Sequence, residues 1–312
     1  MTARIWFAAP PALWPEYEGP LAEALARRGI AAEISTEAPD PAAVDYIVVA
    51  NGAVTRDFAP FTGAKAMLNL WAGCEKLVGN PTITMPLARM VEPALTAGMV
   101  EYVAGHVLRH HLGMDADILG SAGPWSGRAA PPLASERRVT MVGLGALGAA
   151  AAQALVALGF PVTGWSRSPR DIAGVRCLSG RAGFAEALSG AEILVLLAPF
   201  TPETENLIDA AALARLAPGA VLINPARGQL IDDDALLAAL ASGQLSHATL
   251  DVFRTEPLPA DHPFWAEPRI TVTPHLAAAT RPATASEVIA ENVARAEAGA
   301  PLLHLVDLSR GY

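Results

Sequence analysis

Short apolar runs of strand length, bounded by Gly, Pro, Asn or Asp, recur along the whole chain. They predict strands over residues 3–8, 30–34, 46–50, 66–70, 139–142, 160–165, 193–197, 221–224, 249–253 and 270–273. Between them lie stretches of helix formers. Residues 20–28 read as a helix with Pro20 near its start and Gly29 just past its end. Residues 98–112 carry Met99, Val103 and Val107 at helical spacing. Further helices are predicted over 149–158, 184–188, 210–216, 232–242 and 285–298. The acidic first turn at Asp232–Asp234 suits the positive end of a helix dipole. Residues 171–183 read as irregular, and 120–135 as a Gly-, Pro- and Ser-rich loop with Trp125 in its middle. Strands alternating with helices predict an α/β architecture with parallel sheets.

One stretch is more specific. Val139–Val142 is a short apolar strand, and Gly143-Leu-Gly145-Ala146-Leu147-Gly148 follows it at once, matching G-x-G-x-x-G. An alanine-rich helix, Gly159 and a second strand come next. In this context Gly143 permits a tight turn, Gly145 lets backbone N–H groups approach a pyrophosphate, and Gly148 lets helix and strand pack closely. The helix start, with Ala146 and Leu147, turns its unpaired N–H groups toward the phosphates. This predicts a Rossmann-type doubly wound parallel sheet over residues 98–280. A smaller, flavodoxin-like open α/β substrate domain is expected from residues 1–97, which lack such a motif, and 281–312. The chain would leave the first domain before the helix at 98 and return at Arg281-Pro282.

Composition agrees with a globular chain: 52% of residues are hydrophobic and 17% charged. The net charge of −9 argues against general affinity for nucleic acid or an anionic membrane. Cys74 and Cys177 lack metal-ligand spacing and read as reduced, cytoplasmic residues. The apolar stretch 144–162 is broken by three glycines and Pro161, so no membrane span is expected. The histidines form no metal cluster: His110 and His111 are neighbours on one helix, and His106, His247, His262 and His304 show no partner pattern.

Ligands of open parallel sheets bind beyond the carboxyl ends of the strands. Three residues stand just there: Arg227 after the strand ending at Asn224, Glu256 after Phe253, and His275 after Thr273. A guanidinium grips a carboxylate through two hydrogen bonds. An imidazole gives or takes the proton that accompanies hydride movement at a carbonyl. A neighbouring carboxylate orients that ring and favours its protonated form. Taken singly, Arg227 also reads as a surface ion-pair partner, Glu256 as a solvated turn residue and His275 as a turn cap; their shared sheet edge is what joins them.

At these residues the chain resembles the D-2-hydroxyacid dehydrogenase family, most of all its glyoxylate/hydroxypyruvate reductase A branch. The resemblance runs through 197–208 (LAPFTPETENLI), 223–240 (INPARGQLIDDDALLAAL), 250–259 (LDVFRTEPLP) and 271–282 (TVTPHLAAATRP), with WSRS at 165–168 and the ending Arg310-Gly311-Tyr312. It implies that Arg227 binds the carboxylate of a 2-oxo acid, that His275 is the acid/base and that Glu256 is its partner. Asp251 would meet the nicotinamide carboxamide. Leu197, Ala198, Pro199, Thr204, Pro225 and Ala226 would line the cofactor together with Arg227 and His275. Trp71-Ala72-Gly73 would offer backbone N–H groups to the substrate, although Trp71 stands where the family usually has Gly. The acid would sit between the two domains, Trp125 would lie near a neighbouring subunit's site, and a homodimer is the family expectation.

The cofactor follows from charge. NAD enzymes of this type place an acid after the second strand to bind the ribose 2′-OH. Here Ser166, Arg167, Ser168 and Arg170 occupy that place, and Arg and Ser suit a 2′-phosphate. NADPH is therefore expected ahead of NADH. The expected reaction is NADPH-dependent reduction of glyoxylate or hydroxypyruvate. The alternatives are another 2-oxo acid or 2-hydroxy acid of the same family, or a nucleotide-sensing protein without turnover. A phosphoglycerate substrate would call on Lys65, Lys76 or Arg89 as the visible cations of the first part of the chain.

Overall fold

A computed structural model describes residues 2–120, 129–308, 310 and 311. Trp125 and Tyr312 lie outside the described residues. The chain divides into two compact units, Met1–Leu95 with Ala279–Tyr312, and Thr96–Ala278.

In chain order the first unit begins with β1 (Ala3–Phe7), α1 (Trp14–Arg27), β2 (Ala32–Ser35), β3 (Tyr46–Val49), β4 (Ala66–Asn69), α2 (Glu75–Val78) and β5 (Leu87–Ala88). Helix α3 (Pro93–Leu112) carries the chain into the second unit. There follow α4 (Met114–Gly120), β6 (Val139–Val142), α5 (Ala146–Ala157), β7 (Val162–Ser166), β8 (Val175–Ser179), α6 (Gly180–Leu188) and β9 (Ile193–Leu196). The unit is completed by α7 (Ala210–Leu213), β10 (Ala220–Asn224), α8 (Asp233–Ser242), β11 (Leu245–Leu250) and β12 (Ile270–Val272). Helix α9 (Pro282–Glu297) lies back in the first unit.

Both sheets are parallel. The first has the order β2-β1-β3-β4-β5 and the second β12-β11-β10-β9-β6-β7-β8. In the second, the order reverses between β6 and β9, which opens a crevice at their carboxyl ends. Every residue of β3, β4, β6, β9 and β10 is buried, as expected of parallel strands covered by helices on both faces. In the first unit α1 and α9 pack side by side. Leu21, Leu25, Ile289 and Val293 share one core, and Arg28 reaches Glu291 at 3.3 Å above it. No helix among the described residues is long and apolar enough to cross a membrane.

Several elements differ from the pattern-based expectation. Helix α1 starts well before Pro20, which lies inside it. Its start is set by Pro11 and Pro15, in first-turn positions where a missing N–H costs nothing. Helix α3 begins at Pro93 because buried Glu92 accepts the N–H groups of Ala94 at 2.6 Å and Leu95 at 2.7 Å. Residues 171–183 hold β8 and the start of α6. Strand β8 lies at the sheet edge with no fully buried residue, so no apolar run marks it.

Candidate active site

The glycine turn closes on the next strand. Gly143 has φ +108°, and a Cβ there would come within 2.3 Å of the backbone of Leu197 and Ala198. A Cβ on Gly148 would meet the Gly143 carbonyl oxygen at 1.9 Å. These two glycines are required by the protein itself. Gly145 is different: it is exposed, and a Cβ there would have nothing within 4 Å. It is the N-cap of α5 and no side chain caps that end. The first-turn N–H groups at Ala146, Leu147 and Gly148 therefore suit a phosphate, and the glycine with open space beside it is the one expected to admit it.

Around this turn stand the other cofactor candidates. Strand β7 ends at Ser166, whose hydroxyl donates to the Ser168 carbonyl at 2.7 Å; Arg167, Ser168 and Arg170 are exposed just beyond. After β9 come Leu197, Ala198 and Pro199. Thr204 shapes that loop: its hydroxyl donates to the Pro199 carbonyl at 2.9 Å and accepts from the Thr201 N–H at 2.8 Å.

The three strand-end candidates also belong to the second unit. Asn224, fully buried at the end of β10, donates to the Arg227 carbonyl at 2.8 Å and accepts from the Ala226 N–H at 3.1 Å. This folds Pro225 and Ala226 inward and leaves Arg227 half-buried. Gly228 then passes so near Phe253 that a Cβ would come within 2.1 Å of its backbone carbon. The Arg227 turn is thereby held against the loop that carries Glu256. Glu256 accepts from the Phe253 N–H at 2.9 Å with one oxygen, and its other oxygen lies 2.8 Å from His275 Nδ1. A carboxylate only accepts, so the ring proton is on Nδ1, and Nε2 is left for chemistry. The His275 side chain is 52% exposed, which keeps that nitrogen accessible.

His275 has φ +51°, a left-handed conformation that costs a non-glycine residue about 1–2 kcal/mol. Asp251, fully buried, holds the turn that imposes it. Its carbonyl accepts the His275 N–H at 2.8 Å. One carboxylate oxygen accepts from the Thr273 hydroxyl at 2.6 Å and the Leu276 N–H at 2.9 Å, and the other from the Ala277 N–H at 2.9 Å. Of the roughly four lone-pair sites of a carboxylate, about one remains for the nicotinamide carboxamide expected there. Thr273 spends its only hydroxyl proton on Asp251, so the Tyr102 hydroxyl, 2.8 Å away, donates to Thr273. Burial pushes the Tyr102 pKa up to about 12, which keeps that donor protonated.

Tyr102 opens a polar stripe on α3 that the sequence did not reveal. Arg109 donates to Thr271 at 2.9 Å and to Asp115 at 2.7 Å. His110 Nε2 lies 2.9 Å from the Thr249 hydroxyl, and its ring centroid is 5.3 Å from that of His247. Burial lowers the pKa of His106 and His247, and that of His110 to about 3. His111 turns away and meets Phe160 edge-on. The spacing of Tyr102, His106 and His110 was the available signal, but its threonine partners lie well over a hundred residues on.

The Trp71–Gly73 segment belongs to the first unit. Buried Asn69, the last residue of β4, donates through Nδ2 to the carbonyls of Trp71 at 2.9 Å and Gly73 at 2.8 Å. Trp71 is half-buried and packs against the first unit's core, which accounts for a large side chain at a position the resemblance gives to glycine.

The family model for the D-isomer specific 2-hydroxyacid dehydrogenase NAD binding domain matches residues 104–277. The chain is 44% identical to a glyoxylate/hydroxypyruvate reductase A of Serratia proteamaculans over 257 residues, covering 80% of this chain and 82% of that protein. A D-isomer specific 2-hydroxyacid dehydrogenase from Xanthobacter autotrophicus Py2, solved in complex with NADPH and MES, is 39% identical with a TM-score of 0.91, over 100% of this chain and 99% of that one. An NADPH-dependent glyoxylate/hydroxypyruvate reductase from Sinorhizobium meliloti, solved with NADP and sulfate, is 33% identical with a TM-score of 0.89 over the full length of both chains. With the doubly wound sheet and its glycine turn, these matches make the chain a member of the D-isomer specific 2-hydroxyacid dehydrogenase family and an NAD(P)-dependent oxidoreductase.

Proposed function

We propose that this enzyme reduces small 2-oxo acids, glyoxylate and hydroxypyruvate first among them, with NADPH as the preferred cofactor. The observation that carries the reading is the His275–Glu256 pair, with Nδ1 held at 2.8 Å and Nε2 left accessible. The names of the similar reductases and the NADPH and NADP in two similar structures support it. NADPH, when bound, supplies the hydride that reaches the carbonyl carbon.

The protein's own residues do the rest. Arg227 grips the carboxylate of the acid and draws electron density from its carbonyl. Nε2 of protonated His275 gives its proton to the carbonyl oxygen as the new C–H bond forms, so the product is the 2-hydroxy acid and the ring is left neutral. Glu256 steadies the charged ring before transfer and keeps Nε2 aimed. Ser166, Arg167, Ser168 and Arg170 favour the 2′-phosphate, since no acid stands at the end of β7. A homodimer belongs to the same proposal.

Initial rates with glyoxylate, hydroxypyruvate, pyruvate and longer 2-oxo acids, each with NADPH and NADH, test the reading. The two small acids with NADPH should give the highest kcat/KM. A higher value with a large or aromatic acid would replace the named substrates. Arg167→Ala should lower the NADPH-to-NADH ratio of kcat/KM by about tenfold, equivalent to one charge-assisted hydrogen bond; an unchanged ratio removes Arg167 from cofactor choice.

A further inference from the structure

Strands β11 and β12 make an edge with two unlike faces. Ala248, Leu250, Ile270 and Val272 belong to the core on one side. The alternate positions, Thr249, Asp251, Thr271 and Thr273, are polar, and Thr249 and Asp251 are fully buried. Thr249 lies opposite Thr271 in the parallel register, so both side chains project from the same face. Helix α3 meets the sheet with two kinds of side chain. Met99, Val103 and Val107 pack with Met141, Val195 and Ile223 of the inner strands. Tyr102, Arg109 and His110 reach Thr273, Thr271 and Thr249 at 2.8, 2.9 and 2.9 Å. Apolar contacts would hold this part of the helix without the desolvation cost of polar groups. The polarity of the seam therefore points to a role other than packing.

The Tyr102 bond differs from its two companions, because Thr273 passes it on. The Thr273 hydroxyl donates to Asp251 Oδ1 at 2.6 Å, and a hydroxyl has one proton to give. With Tyr102 donating to its oxygen, that proton is fixed toward Asp251, and successive bonds polarise one another. Asp251 in turn holds the Leu276 and Ala277 N–H groups, and its carbonyl holds that of His275. His275 keeps its left-handed backbone only while that turn is held. Tyr102 is itself flanked by His106, whose ring centroid lies 4.4 Å away. A chain of bonds thus runs from the middle of α3 to the backbone of His275, entirely within the second unit.

We propose that Tyr102 and Thr273 are positioning residues for the reaction: through Asp251 they hold the His275 turn so that Nε2 keeps its aim. That Nε2 is the proton donor rests on the reaction proposed above; the hold on the turn does not. The two residues act in series. Removing the Thr273 hydroxyl breaks the chain, and Tyr102 then has nothing to act through.

Two measurements on the full-length protein test this. Steady-state kinetics with NADPH and the 2-oxo acid reduced fastest are compared for the wild type, Thr273→Val, Thr273→Ser, Tyr102→Phe, the Tyr102→Phe/Thr273→Val double variant and Thr271→Val. Thermal melts establish that each is folded. Hydrogen exchange at the His275–Ala277 amides is followed in the same proteins. Thr273→Val should lower kcat by about 10-fold, the loss expected for one hydrogen bond to a charged group, and leave KM for the acid nearly unchanged. Its His275–Ala277 amides should exchange faster, with less change in β6 and β9. Thr273→Ser should restore both. Tyr102→Phe should cost about threefold in kcat, and the double variant should match Thr273→Val. Thr271→Val removes only the Arg109 bond and should leave kcat and these amides unchanged. Additive losses in the double variant, or an equal loss of kcat in Thr271→Val, would reduce the seam to packing and overturn the proposal. Wild-type kcat in a folded Thr273→Val also overturns it. If no 2-oxo acid is reduced, or His275→Asn keeps wild-type turnover, the reaction proposed above fails; the hold on the turn then stands or falls by the amides alone.

Discussion

The two units share one piece of construction and finish it differently. In each, a largely buried strand inside a parallel sheet (β1 or β6) is followed by a turn and a helix. After β1 the turn is Ala8-Ala9-Pro10-Pro11, and another proline, Pro15, lies in the first turn of α1. Prolines have no N–H, so this helix start offers few donors to a ligand. After β6 the turn is glycine, and the start of α5 keeps its donors uncapped. The same architecture thus presents uncapped amide donors in one unit and a proline turn in the other. Turn chemistry, not sheet topology, decides which helix start keeps its donors open.

Substitution at the glycines should break this contrast most sharply. Gly143→Ala and Gly148→Ala force a methyl into backbone atoms and should cost on the order of 3–5 kcal/mol or prevent folding of the second unit. Gly145→Ala should fold with a Tm near that of the wild type while binding NADPH more weakly. Thermal melts and NADPH fluorescence titrations of the three variants check this; a Gly145→Ala protein that binds NADPH normally would remove that glycine from the phosphate site.

The buried carboxylates give a finer test. Glu92 in the first unit caps α3 and accepts the Arg281 N–H at 3.2 Å, joining the two segments where the chain crosses between units. Asp251 does comparable work in the second, but the segment it holds carries His275. Glu92→Gln and Asp251→Asn should each lower stability by about 1.5–3 kcal/mol. Only Asp251→Asn should also cut kcat, on the order of 100-fold, through a misplaced imidazole. Denaturant melts with single-turnover rates separate the two effects, and equal loss of kcat in both would end the distinction.

Acid should act mostly through the second unit, and most gently. Among the histidines whose pKa burial lowers, that unit holds His106, His110, His111 and His247, against His304 alone in the first. His106, His110 and His247 are kept neutral by burial in the fold but titrate near pH 6.5 when unfolded. Between the unfolded value and the lower folded one, the unfolded chain binds more protons. Stability should therefore be level with respect to these groups above about pH 6.5 and fall below it, with His110 alone contributing up to about 1.4 kcal/mol per pH unit until its folded value near 3. Melts from pH 8 to 5 follow this, and a His110→Gln protein should show a shallower decline; an unaltered slope would acquit His110.

What was legible in the sequence was local. The strand, glycine turn and helix at 139–157 are written in consecutive residues, and Arg227, Glu256 and His275 reveal themselves by following apolar strands. Strand β8 was hidden because its half-exposed edge position gives no apolar signal. The start of α1 was misplaced because Pro20 looks like a beginning when it lies mid-helix. Asp251, Thr273 and Tyr102 act as one chain of hydrogen bonds, but it joins residues up to 171 positions apart, and no periodicity encodes such a meeting. Asn69 escaped because its role shows only once the turn after β4 folds back to bring the Trp71 and Gly73 carbonyls to its side chain.

The packing of α1 against α9 has a consequence for the newly made chain. Leu21 and Leu25 share their core with Ile289 and Val293, and the whole second unit is synthesised between them. An emerging chain usually folds its amino-terminal part first. Here that part must wait with an apolar helix face uncovered while residues 96–278, a continuous segment, can complete their own sheet. The ribosome thus delivers the whole segment that carries His275 before helix α1 has its permanent neighbour, α9.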